Sequence, residues 1–186
     1  MDIQHAILGI LSWQPLSGYD LKKIISESDL FYWSGNNNQI YYSLVELHKA
    51  ELITQEIQHQ ESLPTKKKYT ITEKGRAELR KWTLANPDLP EFRNNFLIQL
   101  AWADQLSQPE MDDLLGRYED EIEIQLRMRQ ARQQAGYQNN ASDGTARAKF
   151  FWKKIFENIL AAYQHELDWI REVRRELRDV NFPDEI

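Results

Sequence analysis

Apolar residues recur along the first half of the chain at the spacing of short amphipathic helices. Ile3, Ile7, Leu8, Ile10 and Leu11 share one side of a helix that Pro15 brings to an end. Ser17 opens a second helix: its hydroxyl can cap the first turn while Asp20 reaches back, with Tyr19, Leu21, Ile24 and Ile25 on the apolar side. The cap-competent Asn36, Asn37 and Asn38 precede a third, where Ile40, Tyr41, Leu44, Val45 and Leu47 continue to about Glu51. Beyond it the period drops to two. LITQEIQHQ (52–60) and KKKYTIT (66–72) read as strands joined across a turn at Ser62, Leu63 and Pro64. Thr72 can cap a fourth helix that runs through Glu78, Leu79 and Trp82 and stops before Asn86 and Pro87.

From Pro87 onward only helical patterns follow. Phe92, Phe96, Leu97, Leu100 and Ala101 mark one helix, and Ser107 with Glu110 forms a capping box for another that holds Met111, Leu114, Leu115, Tyr118 and Ile122. Ile122, Ile124, Leu126 and Met128 alternate with polar residues as in a strand, but Glu, Gln, Leu, Arg and Met favour a helix, here one with neighbours on two sides. Residues 136–144 read as a loop. A last helix, from about Thr145 to Arg178, would be roughly 50 Å long at 1.5 Å per residue. That length outruns a small domain, so its apolar stripe needs cover. A second copy provides it through Ile155, Ile159, Tyr163, Ile170, Val173 and Leu177, since two-fold homodimers are the commonest soluble oligomers. The competing arrangement is a bundle within one chain, made with the two preceding helices. The expected domains are 1–86 and 87–186.

Charge changes the picture only once it is divided. The net charge of the 186 residues is -6, which by itself argues against a nucleic-acid partner. Residues 1–85, however, carry ten basic and ten acidic side chains, so the negative excess lies in the second half. Between residues 64 and 81, Lys66, Lys67, Lys68, Lys74, Arg76, Arg80 and Lys81 face only Glu73 and Glu78, a candidate phosphate-binding patch. There is no cysteine, which removes disulfides and thiolate chemistry and suits a reducing cytoplasm. The apolar stretch near the N-terminus lacks a basic flank and is too short to span a bilayer, so a soluble, cytoplasmic protein without a membrane partner is expected. His5, His48, His59 and His165 stand far apart in no metal-binding spacing, and no phosphate loop or nucleophile motif is present. Neither an enzyme nor any cofactor or metal is expected.

Three helices followed by a basic hairpin is the winged helix-turn-helix order, in which the third helix enters the major groove of double-stranded DNA and the wing lies along the backbone. The expected fold is therefore mainly α: a winged helix-turn-helix of three helices plus a β-hairpin wing, followed by an all-helical dimerisation domain. Such a third helix needs polar side chains in front and apolar ones behind. Asn36, Asn37, Asn38, Gln39 and Ser43 supply the front, with Ile40, Leu44 and Leu47 behind. Amides of this kind pair bidentately with adenine or bond to phosphate. Tyr41 and Tyr42 cannot both face the core, so at least one presents its hydroxyl to DNA. Lys22 and the backbone amides of Ser17 and Gly18 would sit near phosphates at the start of the second helix, and Lys66, Lys67 and Lys68 of the wing are the candidate cations along the backbone.

The segments ILGILSWQPLSGYDLKKII (7–25), NNQIYYSLVELHKAELI (37–53) and KKKYTITEKG (66–75), in that order, resemble the PadR family of transcriptional regulators. FLIQLAW (96–102) and the helices around it look like the C-terminal region of the family's longer members. The resemblance implies a dimeric regulator, by default a repressor, on a palindromic operator, released by a phenolic or hydrophobic effector. Two departures stand out: Asn38 and Tyr42 replace the usual Gly and Pro around QIY, and Glu51 occupies a place where the family favours Gly. That place often requires a left-handed backbone, so an altered helix end is expected there. Trp102, Phe151, Trp152 and Trp169 are candidates for an aromatic effector pocket, against the plainer reading that aromatics at helical spacing are core. The alternative function is a winged-helix interaction module that does not touch DNA.

Overall fold

The computed structural model describes residues 3–28, 30, 38–60, 63–89, 94–134 and 145–180. The expected caps Asn36 and Asn37, the residue Phe92 and the 136–144 loop lie outside them. The protein is mainly helical and divides into two compact units, Met1–Asp88 with Asn139–Trp152, and Leu89–Gln138 with Lys153–Ile186.

In the first unit, α1 (Ile3–Leu11), α2 (Gly18–Glu27) and α3 (Asn38–Lys49) surround a core of Ile7, Leu8, Leu11, Leu21, Leu44 and Leu47. The capping box on α2 forms as its sequence dictates: Ser17 accepts from the Asp20 amide at 3.2 Å while the Asp20 carboxylate accepts from the Ser17 amide at 3.3 Å. The wing pairs β2 (Ile53–Gln60) with β3 (Leu63–Ile71), antiparallel, Ile53 facing Ile71 and Glu56 facing Lys68. Leu63 and Pro64 thus belong to a strand, not to the turn the sequence suggested. A third strand was missed. β1 (Leu16–Ser17) adds to the other edge of β3, placing Ser17 opposite Lys68, and two residues are too few to show any alternation. Thr72 caps α4 (Glu73–Thr83) by accepting from the Gly75 amide at 3.0 Å.

α3 ends in a Schellman turn. The Leu52 amide donates to the Leu47 carbonyl at 2.9 Å and the Glu51 amide to the His48 carbonyl at 3.0 Å, with Glu51 left-handed at φ 60°. The glycine-favouring position therefore keeps its conformation although a glutamate fills it. Neighbours hold it: Thr72 Oγ1 donates to the Glu51 carbonyl at 2.8 Å, and Lys74 Nζ lies 3.1 Å from the Glu51 carboxylate. Gly75 closes the joint, since a Cβ there would fall 2.1 Å from the Leu52 carbonyl oxygen.

In the second unit, α5 (Asn95–Leu100), a 3-10 turn (Ala103–Gln105) and α6 (Gln108–Gln134) precede α7 (Ala146–Asp179), whose first turns belong to the first unit. The 122–128 stretch is helical, in keeping with its propensities rather than its alternation. Its core gathers Phe96, Leu115, Leu126, Leu167 and Ile170, with Tyr163, Val173 and Leu177 packed against them. Asn94 caps α5 and donates to Tyr118 Oη, which donates to Glu166 at 2.6 Å. Burial, then the Glu166 carboxylate, pushes the Tyr118 phenol up to about 12. Glu119 of α6 meets Arg171 and Arg174 of α7, a clasp outside the apolar layer.

The long-helix stripe is thus covered in part within one chain. Ile170, expected at a dimer contact, is fully buried in its own unit's core because Leu115 and Leu126 of α6 pack beside it, whereas Ile155 and Ile159 remain half-buried. Among the described residues, no helix is long and apolar enough to cross a membrane.

Candidate nucleic-acid interface

The sequence of α3 divides its surface sharply. Ile40, Ser43, Leu44 and Leu47 are at most 3% exposed, whereas Asn38, Gln39, Tyr41, Tyr42 and Val45 are open to solvent. At 3.6 residues per turn these are opposite sides of one helix, so a polar and aromatic front is held out by an apolar rear. Both tyrosines face outward, Tyr42 at 65% exposure. Ser43 does not join them: it falls one turn before Leu47 on the inner face, which corrects its assignment to the front. Val45, which marked the helical spacing of α3, is 51% exposed, and Tyr19, expected on the apolar side of α2, is likewise outward.

At the start of α2 the backbone is less available than the sequence suggested. Ser17 and Gly18 are buried, and the Ser17 amide is already engaged by Asp20 in the capping box. Gly18 serves another purpose: the ring of Tyr41 lies against it, with room only because there is no side chain. Lys22 stands half-buried on α2.

The wing contributes the cations. Lys67, exposed, faces Ile57 across the ribbon, and Lys68, half-buried, lies between Glu56 on one side and Ser17 on the other. Lys66 faces Gln58 in register, and its side chain lies outside the described residues. β1 is what brings this basic strand beside the first turn of α2. Further along, Lys74 pairs with Glu51, Arg76 with Glu73 and Lys81 with Glu78 on α4. Beneath the ribbon Tyr69 is buried in β3, and burial pushes its phenol up, with a further push from Tyr41.

The four aromatics considered for an effector pocket have different neighbours. Trp152 packs edge-on against Trp13 in the first unit at 5.8 Å, and Phe151 lies 5.5 Å from Phe150. Trp169 packs edge-on against Phe96 in the second at 6.3 Å. Trp102, also in the second unit, is 66% exposed at a cleft of about 430 Å³ walled by Leu106, Leu114, Asp113 and Arg117.

A helix with an exposed polar front, an apolar rear and a basic ribbon hydrogen-bonded into the same small sheet define a winged helix-turn-helix protein. The sequence matches the transcriptional regulator PadR-like family over residues 7–81 and the virulence activator alpha C-terminal family over residues 92–178. It is 34% identical over 131 residues to the negative transcriptional regulator PadR of Bacillus subtilis, covering 70% of this chain and 68% of that protein. The chain therefore belongs to the PadR-like family of transcriptional regulators. The crystal structure of Bacillus subtilis PadR in complex with operator DNA is similar with a TM-score of 0.77 at 26% identity, covering 92% of this chain and 96% of that one. The same protein in complex with p-coumaric acid gives 0.72 at 24% identity and 92% of each chain.

Proposed function

We propose that this regulator is a homodimer, a cytoplasmic repressor that binds a palindromic operator through two copies of α3 and is released by a small aromatic effector. The observation that carries the reading is the front of α3: Asn38, Gln39, Tyr41, Tyr42 and Val45 are exposed outside the core, on the domain whose sheet also carries Lys67 and Lys68. Side chains so displayed can reach base edges while lysines hold the adjacent phosphates. Two such helices in a two-fold dimer meet successive major grooves about 34 Å apart, so operator symmetry follows from protein symmetry. Asn36, Asn37, Lys22 and Lys66 complete the proposed contacts. Repression is supported by the Bacillus subtilis relative, a negative regulator, and an aromatic effector by that protein's structures in complex with operator DNA and in complex with p-coumaric acid.

Selection of bound duplexes from a random pool tests the reading. The expected result is a palindrome, bound with an affinity that falls linearly in log salt with a slope of about -0.9 per phosphate contacted. A bound site without symmetry argues against the dimeric arrangement. No enrichment, with no binding of any duplex at low salt, turns the reading toward the protein-interaction module.

A further inference from the structure

One residue on the front of α3 is neither polar nor charged. Val45 is 51% exposed although Leu44 and Leu47 beside it are 1% exposed, and it lies one helical turn beyond Tyr41 and Tyr42. The three side chains make a continuous aromatic and aliphatic strip down the middle of the exposed face. From Asn38 to His48 the helix carries no arginine or lysine, and Lys49 is bonded to Glu46 at 2.9 Å. The commonest reader of guanine, a bidentate cation, is thus confined to the last position of the helix, and the stretch from Asn38 to His48 offers amides and an apolar strip instead. In the major groove the one apolar group on a base edge is the C5 methyl of thymine.

Resting on the DNA-binding reading above, we propose that Val45 is a specificity-determining residue that packs its methyl groups against the C5 methyl of one thymine in each half-site. The contact needs no hydrogen bond and no charge. It distinguishes thymine from cytosine or uracil by the methyl alone, worth roughly fourfold in affinity for one buried methyl group.

The test uses the full chain and the half-site obtained by selection. Each thymine is replaced singly by deoxyuridine, which deletes the methyl and leaves the base pair intact, and binding is measured for the parent and Val45→Ala. Alanine is the better helix former and Val45 is half-exposed, so the variant keeps its fold. At one position per half-site, deoxyuridine is expected to weaken the parent about fourfold and to leave Val45→Ala unaffected. At that same position 5-methylcytosine is expected to bind the parent more tightly than cytosine, again with no difference for the variant. The proposal is overturned if Val45→Ala responds to every deoxyuridine as the parent does, or if the parent binds tightly and ignores all of them. Failure to bind any duplex defeats the underlying DNA-binding reading together with it, and is told apart by the absence of a selected site.

Discussion

Tyr41 and Gly18 touch so closely that a Cβ on Gly18 would lie 2.8 Å from Cε1 of the Tyr41 ring. The start of one helix thereby fixes the direction of a side chain on the front of the next. Gly18→Ala forces the ring aside, but the ring is the half-exposed far end of a flexible side chain and can swing into solvent. Alanine also regains up to about 1 kcal/mol of helix propensity over glycine. Stability in urea is therefore expected to stay within about 1 kcal/mol of the parent. Operator affinity, and preference at the base pair nearest Tyr41, are expected to change. An unaltered binding profile would show that Tyr41 is not held by Gly18 in the bound state.

Glu51 bears a backbone conformation that glycine adopts freely, at φ 60°. An L-residue there costs about 1–2 kcal/mol, while a glycine gives part of that back through the entropy of the unfolded chain. The Lys74 pair that Glu51 makes is exposed and contributes little. Glu51→Gly is thus expected to stabilise the winged domain by about 0.5–1 kcal/mol, read as a higher urea midpoint at unchanged slope. A lower midpoint would mean that the Lys74 and Thr72 contacts matter more than the backbone strain.

How much of this was visible in the residues themselves depends on the range of the forces involved. The caps at Ser17 and Thr72, the helices they open and the two long strands are set by neighbours three or four positions away, and the chain displays them openly. At Glu51 the expected alteration of the helix end did not occur: the Schellman turn keeps its left-handed residue, since bonds from Thr72 and Lys74 of the next element hold it, and those are remote in sequence. β1 was hidden since its partner, Lys68, is some fifty positions distant and two residues carry no period. Ser43 and Tyr19 were misplaced for a related reason: which edge of an apolar stripe faces inward is decided by what packs on it. Ile170 shows the same limit on a larger scale, because a stripe on a long helix reads alike whether α6 or a second copy covers it.

Glu119 gives the second unit a dependence on acid. Its carboxylate accepts from Arg171 Nε at 2.8 Å and from Arg174 of the same helix, and these guanidinium groups hold it below the usual carboxylate range. A carboxyl with a lower pKa folded than unfolded binds fewer protons in the native state, so its stabilisation is present above the unfolded value, about 4.3 for Glu. It is lost as pH falls through the folded value. At pH 7, Glu119→Gln is expected to lower stability by about 1 kcal/mol, modest because the arginines remain partly solvated. Urea titrations of both proteins from pH 7 downward should show that gap close below the ordinary carboxylate range, where the parent's own Glu119 takes up a proton. Other acids, such as Glu110 held low by Ser107, titrate in both proteins and cancel in the difference. A gap that stays constant to pH 3 would mean that the clasp between α6 and α7 works through packing, with the ionised carboxylate adding nothing.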